Sequence, residues 1–400
     1  MKHTYQRTLT ACYTGYVVQA IANNFVPLLF LTFHNTYHIS MGRITMLITI
    51  NFLVQLLIDA LSAGFIDRIG YRASMILAHG TAAAGLVFLT FLPSILPDPY
   101  LGLILSVMTY AVGGGLLEVL LSPVVEALPT ENKEKSMSLL HSFYCWGAVA
   151  VVLLSTIFFA VFGLEYWRVM ALLWALIPLY NLFVFRKVPL CPLVPDEEEG
   201  LPVTSLIRMP AFWILMIVMT CAGASEQSVS QWASTFAEQG LGVSKSIGDL
   251  AGPMLFSVCM GTSRLIYGLY GEKMNLNKAM IASGILCIFS YCMISLSPVP
   301  SLSLIGCGIC GFSVGIMWPG AFSIAAAVLK GGGTTLFAFM ALAGDLGCSS
   351  GPTFVGLIAE HFAGNLKVGI LNAGIFPFLL MLGILLVQKV HRNTASRVHS

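Results

Sequence analysis

Apolar residues in this chain neither alternate nor keep to one helical face. They run on in long blocks separated by short polar breaks, from one end of the sequence to the other. About 20 apolar residues in a helix, rising about 1.5 Å each, cover the roughly 30 Å of hydrocarbon in a bilayer. The blocks therefore predict membrane-crossing helices over residues 9–32, 43–66, 73–95, 100–125, 138–162, 166–186, 211–236, 247–268, 278–297, 302–328, 334–360 and 367–389. Barrel strands would give alternating segments of about ten residues, and that pattern does not occur. The expected fold class is an all-α membrane protein of twelve helices.

Composition agrees. Of 400 residues, 57% are hydrophobic and 10% charged, against about 25% charged in soluble domains, and the mean hydropathy is +0.85. The first block contains Asn23 and Asn24 and has no small-residue cleavage site, so it reads as a retained span. The ten cysteines are scattered. Cys307 and Cys310 stand three apart on an apolar helix without further Cys or His nearby, so no metal site and no cofactor are expected.

Charge distribution sets the orientation. Sixteen of the twenty Lys and Arg fall at the termini and in the even loops, while Arg43, Arg168, Lys245 and Lys367 lie on the other side. Positive residues in short loops stay in the cytoplasm, so both termini are expected there. The expected location is the plasma membrane, as a multi-pass protein of a bacterial inner or cytoplasmic membrane. No basic-aromatic patch calls for nucleic acid, and a monomer is expected.

The longest internal polar stretch carries Pro189, Pro192, Pro195 and Pro202 with the acidic run Asp196 to Glu199. It divides the chain into a bundle at 1–186, a cytoplasmic linker at 187–210 and a second bundle at 211–400. A weak repeat accompanies the division: an offset of 196 aligns Pro123 with Pro319 and Gly115 with Gly311, and matching Ser40 to Ser244 pairs Asn23 with Gln227. Two related bundles place a substrate site between them, near the midplane.

After the second block comes Gly64-Phe65-Ile66-Asp67-Arg68-Ile69-Gly70-Tyr71-Arg72. This stretch resembles the loop signature of the major facilitator superfamily, although Ala63 stands where that family's leading glycine usually does. The resemblance implies a conformational latch of Asp67, Arg68, Gly70 and Arg72, with Asp59 and Arg264 as further members. A narrower likeness, to the fucose-glucose-proton symporter branch, rests on Ala22-Asn23-Asn24, on Leu117-Glu118 with Ser122-Pro123, and on His141. Pro27 stands where the branch has an aspartate, and Ser122 where it has asparagine.

A carboxylate at the bilayer centre costs roughly 3 kcal/mol, so Glu118, Glu226 and Asp345 are expected to face a cavity. Glu118 is the candidate proton-coupling group, because burial disfavours the ionised form. The candidate substrate contacts are Asn23, Asn24, Ser122, His141, Glu226, Gln227, Trp232, Trp318 and Asp345, which combine polar partners with aromatic faces. No Walker-type sequence or set of catalytic residues occurs. The expected function is secondary transport of a small polar solute, best a sugar, with protons; the alternative is a proton-coupled exporter of drugs or amphipathic metabolites. No enzyme activity is expected.

Overall fold

The computed structural model describes residues 2–129, 133–191, 203–270, 274–329 and 333–398. The first part of the chain forms α1 (Lys2–Asn24), α2 (Phe30–Tyr37), α3 (Met41–Ile69), α4 (Tyr71–Ile95), α5 (Pro99–Glu126), α6 (Lys133–Phe162) and α7 (Trp167–Lys187). A short α8 (Val203–Leu206) precedes α9 (Pro210–Ser230), α10 (Ala233–Thr235), α11 (Lys245–Asp249), α12 (Leu255–Tyr270) and α13 (Leu276–Leu296). The chain closes with α14 (Pro300–Val314), α15 (Met317–Val328), α16 (Gly333–His361), α17 (Leu366–Asn372) and α18 (Ile375–Val398).

Helix starts follow local chemistry. Pro99, Pro210 and Pro300 stand in first turns, where a missing N–H costs nothing. The Ser40 hydroxyl accepts from Arg43 N at 3.3 Å to cap α3, and Asn275 Oδ1 accepts from Lys278 N at 3.1 Å to cap α13. Gly70, at φ +81°, is the single residue between α3 and α4. A left-handed turn that tight favours glycine.

Among the described residues, ten helical segments are long and apolar enough to cross a membrane. The other two expected ranges, 247–268 and 334–360, are also helical. The first is broken between α11 and α12 by a π turn at Leu250–Met254 containing Pro253; the second is α16. The outward faces carry large apolar side chains: on α7, Leu172, Leu176, Leu179 and Phe183 are exposed while Trp174, Pro178 and Asn181 are buried. Such a surface is stable only with hydrocarbon as the solvent, and the chain is an integral membrane protein.

Helix α4 packs on α5 and α7, and α1 on α5 and α6; later in the chain α9 packs on α16 and α18, and α12 on α14. The early and late helices are joined chiefly by α3 on α16 and by α6 on α12 and α11. The repeat read from sequence has a geometric counterpart. A Cβ on Gly115 of α5 would come within 3.0 Å of Gln55 Cα on α3, and one on Gly311 of α14 within 2.1 Å of the Phe256 carbonyl on α12. Equivalent glycines thus bring equivalent helix pairs together, backbone against side-chain-free surface.

Several segments break at mid-length. Pro27 ends α1 in a 3₁₀ turn, Val26–Leu29; α9 gives way to a turn at Gln231–Trp232 and then a π turn at Phe236–Gly240; α14 stops before Gly315. Freed backbone groups are tolerable at such depth where protein or a cavity satisfies them.

Candidate functional site

Helices from both parts of the chain enclose a polar cavity of about 110 Å³. The face of α1 supplies Tyr16, Gln19 and Asn23, spaced i, i+3, i+7; α3 supplies Phe52 and Gln55; and α5 supplies Glu118. Opposite them stand His141 and Tyr144 of α6, Glu226 and Gln227 of α9, Arg264 of α12, Trp318 of α15, and Asp345 and Cys348 of α16.

The walls are tied by amide chains. Gln19 Nε2 donates to Glu118 Oε2 at 2.8 Å, so among the described residues the carboxylate is held by a neutral donor and not by a cation. Asn23 is a junction: its Oδ1 accepts from Gln55 Nε2 at 2.9 Å and Asn51 Nδ2 at 3.2 Å, while its backbone carbonyl accepts from Gln231 Nε2 at 3.2 Å. Gln231 also donates to Gln227 Oε1 at 3.0 Å, and Gln227 Nε2 donates to Glu226 Oε1 at 3.2 Å. Both parts of the chain therefore meet at Asn23.

The one cation on the cavity wall among the described residues is Arg264, whose Nη2 lies 3.0 Å from Glu226 Oε2. Its Nη1 reaches Cys145 Sγ of α6 at 3.4 Å, a second link across the parts. Among the described residues Glu118 and Asp345 form no ion pair with a cation. With Asp59 of α3 they form a cluster in which each carboxyl offers an oxygen within 4.8 Å of the others. Trp318 closes a further wall against Gly344, where a Cβ would come within 2.3 Å of the indole ring.

Of the expected substrate contacts, Asn23, His141, Glu226, Gln227, Trp318 and Asp345 line the cavity. Three do not. Asn24 Nδ2 bonds back to Ala20 O at 2.9 Å; Ser122 Oγ lies 3.4 Å from the Tyr16 hydroxyl; and Trp232 is fully buried, donating Nε1 to Pro352 O at 2.9 Å. Ser122 thereby stands behind Tyr16, a residue of the cavity wall.

The expected latch separates into different places. Asp59 and Arg264 belong to the cavity region instead of the α3–α4 turn. Arg68 and Gly70 are exposed, and the Asp67 side chain lies outside the described residues. Arg72 donates Nη1 to Phe185 O at 2.6 Å and Nη2 to Val188 O at 2.9 Å, capping the end of α7. Gln19, Gln55, Tyr16 and Arg264 were not anticipated as cavity residues. For Gln55 the signal was periodic: Asn51, Gln55 and Asp59 recur every four residues, a polar stripe on an otherwise apolar helix.

An all-helical membrane protein with a polar cavity between early and late helices has the architecture of a transporter. The sequence profile of the Major Facilitator Superfamily matches residues 12–394, and the chain belongs to that superfamily. A sequence comparison with curated proteins returns no match. Among solved structures, the fold is similar to a bacterial homolog of the human lysosomal transporter Spinster in an inward-facing, occupied conformation, at TM-score 0.78 and 14% identity over 98% of each chain. It is similar to a D-xylose-proton symporter at TM-score 0.78 and 14% identity over 97% of this chain and 98% of that one. The E. coli fucose:proton symporter matches at TM-score 0.65 and 15% identity over 96% of this chain and 99% of that one.

Proposed function

We propose that the chain is a secondary transporter that moves a small polar solute, best a sugar, by alternating access with proton coupling at Glu118. The observation carrying this reading is Glu118 itself, a carboxylate on the cavity wall whose held oxygen meets an amide donor and, among the described residues, no cation. A group so placed can take up and release a proton as the cavity changes its opening. The amides of Gln227 and Asn23, with the Trp318 face, suit hydroxyl groups on a ring. Two of the structural neighbours carry sugars with protons, and the reading extends that substrate class to this chain.

The rest of the arrangement follows the same reading. Twelve spans run with both termini in the cytoplasm, residues 1–186 and 211–400 form two bundles joined by a linker at 187–210, and the protein sits as a monomer in a bacterial cytoplasmic membrane. Proteoliposomes loaded at high pH and diluted into low pH test it: wild type accumulates the solute, whereas Glu118→Gln loses pH-driven uptake and retains counterflow exchange. PH-driven uptake unchanged in Glu118→Gln removes the assignment.

A second reading, export of an amphipathic solute, has one observation in its favour. An apolar groove of about 680 Å³ opens between α3, α9 and α16, lined by Leu57, Phe212, Met216, Phe339 and Leu346 among others. Leu57 and Leu346 flank Asp59 and Asp345 in sequence, so a tail in the groove would lie one helix face away from the polar cavity. Proton movement opposite to that of the solute would select this reading.

A further inference from the structure

Helices α3 and α16 meet in one register whose two ends differ. Near the start of α3 the Thr49 and Thr353 hydroxyls lie 2.5 Å apart, a Cβ on Gly356 would come within 2.1 Å of Thr45 Oγ1, and one on Gly42 within 2.2 Å of Glu360 Oε2. Position rises along α3 as it falls along α16, so the pair is antiparallel. Glycine and short hydroxyl side chains let the two backbones approach. Continued by about two turns, the same register sets Leu56, Leu57 and Ala60 opposite Leu342, Ala343 and Leu346. There the helices stand apart around the apolar groove of about 680 Å³, whose wall α9 and the turn before it complete. Among the described residues of its lining, Thr220 and Trp213 carry the polar side-chain atoms, and both are spent. Thr220 Oγ1 donates to Met216 O at 3.0 Å and Trp213 Nε1 to Ile207 O at 2.8 Å.

We infer that this groove seats one acyl chain of a membrane phospholipid whose phosphate lies against Arg208. The rim residues Leu57, Trp213 and Leu346 are about half exposed, so the groove opens onto the surface that faces hydrocarbon. A wall with no spare donor or acceptor rewards only van der Waals contact, which a flexible alkyl chain supplies along its whole length. The charge at one end fixes which way the lipid lies. Arg208 follows Ile207 of the groove and is exposed, and Arg68, also exposed, stands about two turns beyond Ala60 on α3. Guanidinium groups there suit a phosphate, and Trp213 beside them is placed as an interfacial anchor. On the proposed topology this end lies in the cytoplasmic leaflet, whose anionic surface adds to the attraction. The seat differs from ordinary lipid contact in depth: the chain passes the exposed rim to Leu56, Thr220 and Ala343, which are partly buried between the helices. It exists only while α3 and α16 stand apart at this end, so the lipid is bound in one conformation of the seam and expelled when that end closes.

The test uses the full chain in nanodiscs of phosphatidylglycerol and phosphatidylethanolamine, doped with a phosphatidylglycerol that carries a diazirine midway along one acyl chain. After irradiation, adducts are assigned to single residues by mass spectrometry. The expected result is labelling of Leu56, Thr220 and Ala343 in addition to the ordinary lipid contacts Leu172 and Leu176 on α7, which are exposed and serve as the internal control. Ala343→Trp and Ala60→Trp, on different helices, fill the groove and should lose the adducts at Leu56 and Thr220 while those on α7 persist. Persistence on α7 and an unchanged Tm report that the variants are folded. Arg208→Gln should weaken the groove adducts severalfold and leave α7 as it was. Adducts confined to the rim and α7 overturn the site, as do groove adducts that survive both tryptophan variants. Groove labelling unaffected by Arg208→Gln overturns the phosphate contact. Labelling of the groove by a diazirine fatty acid with none by the phospholipid overturns the proposal in favour of a single-chain amphiphile, the solute of the export reading. A wild-type dimer seen by native mass spectrometry and lost in Ala343→Trp assigns the groove to a second copy and overturns it equally. None of these readouts involves uptake, so the proton assignment to Glu118 stands or falls separately.

Discussion

Lys245 Nζ donates to the backbone carbonyl of Leu28 at 2.6 Å, joining the start of α11 to the broken end of the first span. The same ammonium meets Glu238 at 3.1 Å and Asp249 at 3.2 Å, and Asp249 is fully buried, accepting from Ser234 and from Thr156 of α6. Removing one partner from a buried ion cluster costs about 3–5 kcal/mol, because the remaining charges keep their desolvation penalty. Lys245→Met is therefore expected to lower Tm strongly, and Lys245→Met with Asp249→Asn to recover part of the loss. An unchanged Tm in the single variant would mean that the cluster does not hold this end of the bundle closed.

Arg264 and Glu226 form a second ion pair, inside the cavity, with side chains 19% and 8% exposed. Arg264→Gln strands Glu226 and is expected to be worse for stability than the double variant Glu226→Gln with Arg264→Gln. The coupling energy from the cycle should be about 1–3 kcal/mol, typical of contacting charged residues. Arg264→Lys keeps the charge but cannot hold both Glu226 and Cys145 with one planar group, so it should rescue incompletely. A cycle in which the effects simply add would show that the two side chains act independently.

The helical architecture was legible because hydrocarbon imposes length and apolarity on each segment, a constraint written directly into the sequence. The cavity was legible through its charges: Glu118, Glu226 and Asp345 all reach it, since a charged group in lipid has few other places to be. What stayed hidden was pairing. Arg264 counted as a loop cation by its distance from the end of the span, yet its long side chain belongs to Glu226, thirty-eight positions earlier. Asp59 read as part of the α3–α4 turn because Asp67 is near in sequence, whereas its helix face is shared with Asn51 and Gln55. Trp232 and Asn24 looked like ligand contacts by composition. Asn24 Nδ2 bonds to Ala20 O one turn back on its own helix, and Trp232 Nε1 to Pro352 O.

The paired glycines give a graded test of packing. Alanine at Gly311 would bring a methyl to 2.1 Å from the Phe256 carbonyl, and backbone cannot step aside without moving α12. At Gly115 the nearest atom is Gln55 Cα at 3.0 Å, a tight contact that a small shift can absorb. Overpacking costs about 1–3 kcal/mol, and Gly311→Ala is expected near the top of that range with Gly115→Ala below it. Thermal unfolding of the two purified variants checks the order. Equal stability would show that the helix pairs α3–α5 and α12–α14 are looser than these distances imply.

Gly344 shapes the cavity without lining it. A Cβ there would meet the end of the Trp318 indole at 2.3 Å, and the ring, which is only partly buried, can swing away where backbone could not. Gly344→Ala should therefore spare the fold and displace the indole from beside Asp345. If Trp318 forms a wall of the solute site, affinity falls roughly tenfold, about 1.4 kcal/mol, with little change in the Tm of the solute-free protein. Adding Trp318→Phe shortens the ring that collides with the new methyl, so the double variant should bind better than Gly344→Ala alone. Equilibrium binding of the solute identified by uptake, measured on the three variants and wild type, reads this directly. Wild-type affinity in Gly344→Ala would remove Trp318 from the binding surface and leave the amides of Asn23 and Gln227 as the contacts that orient the solute.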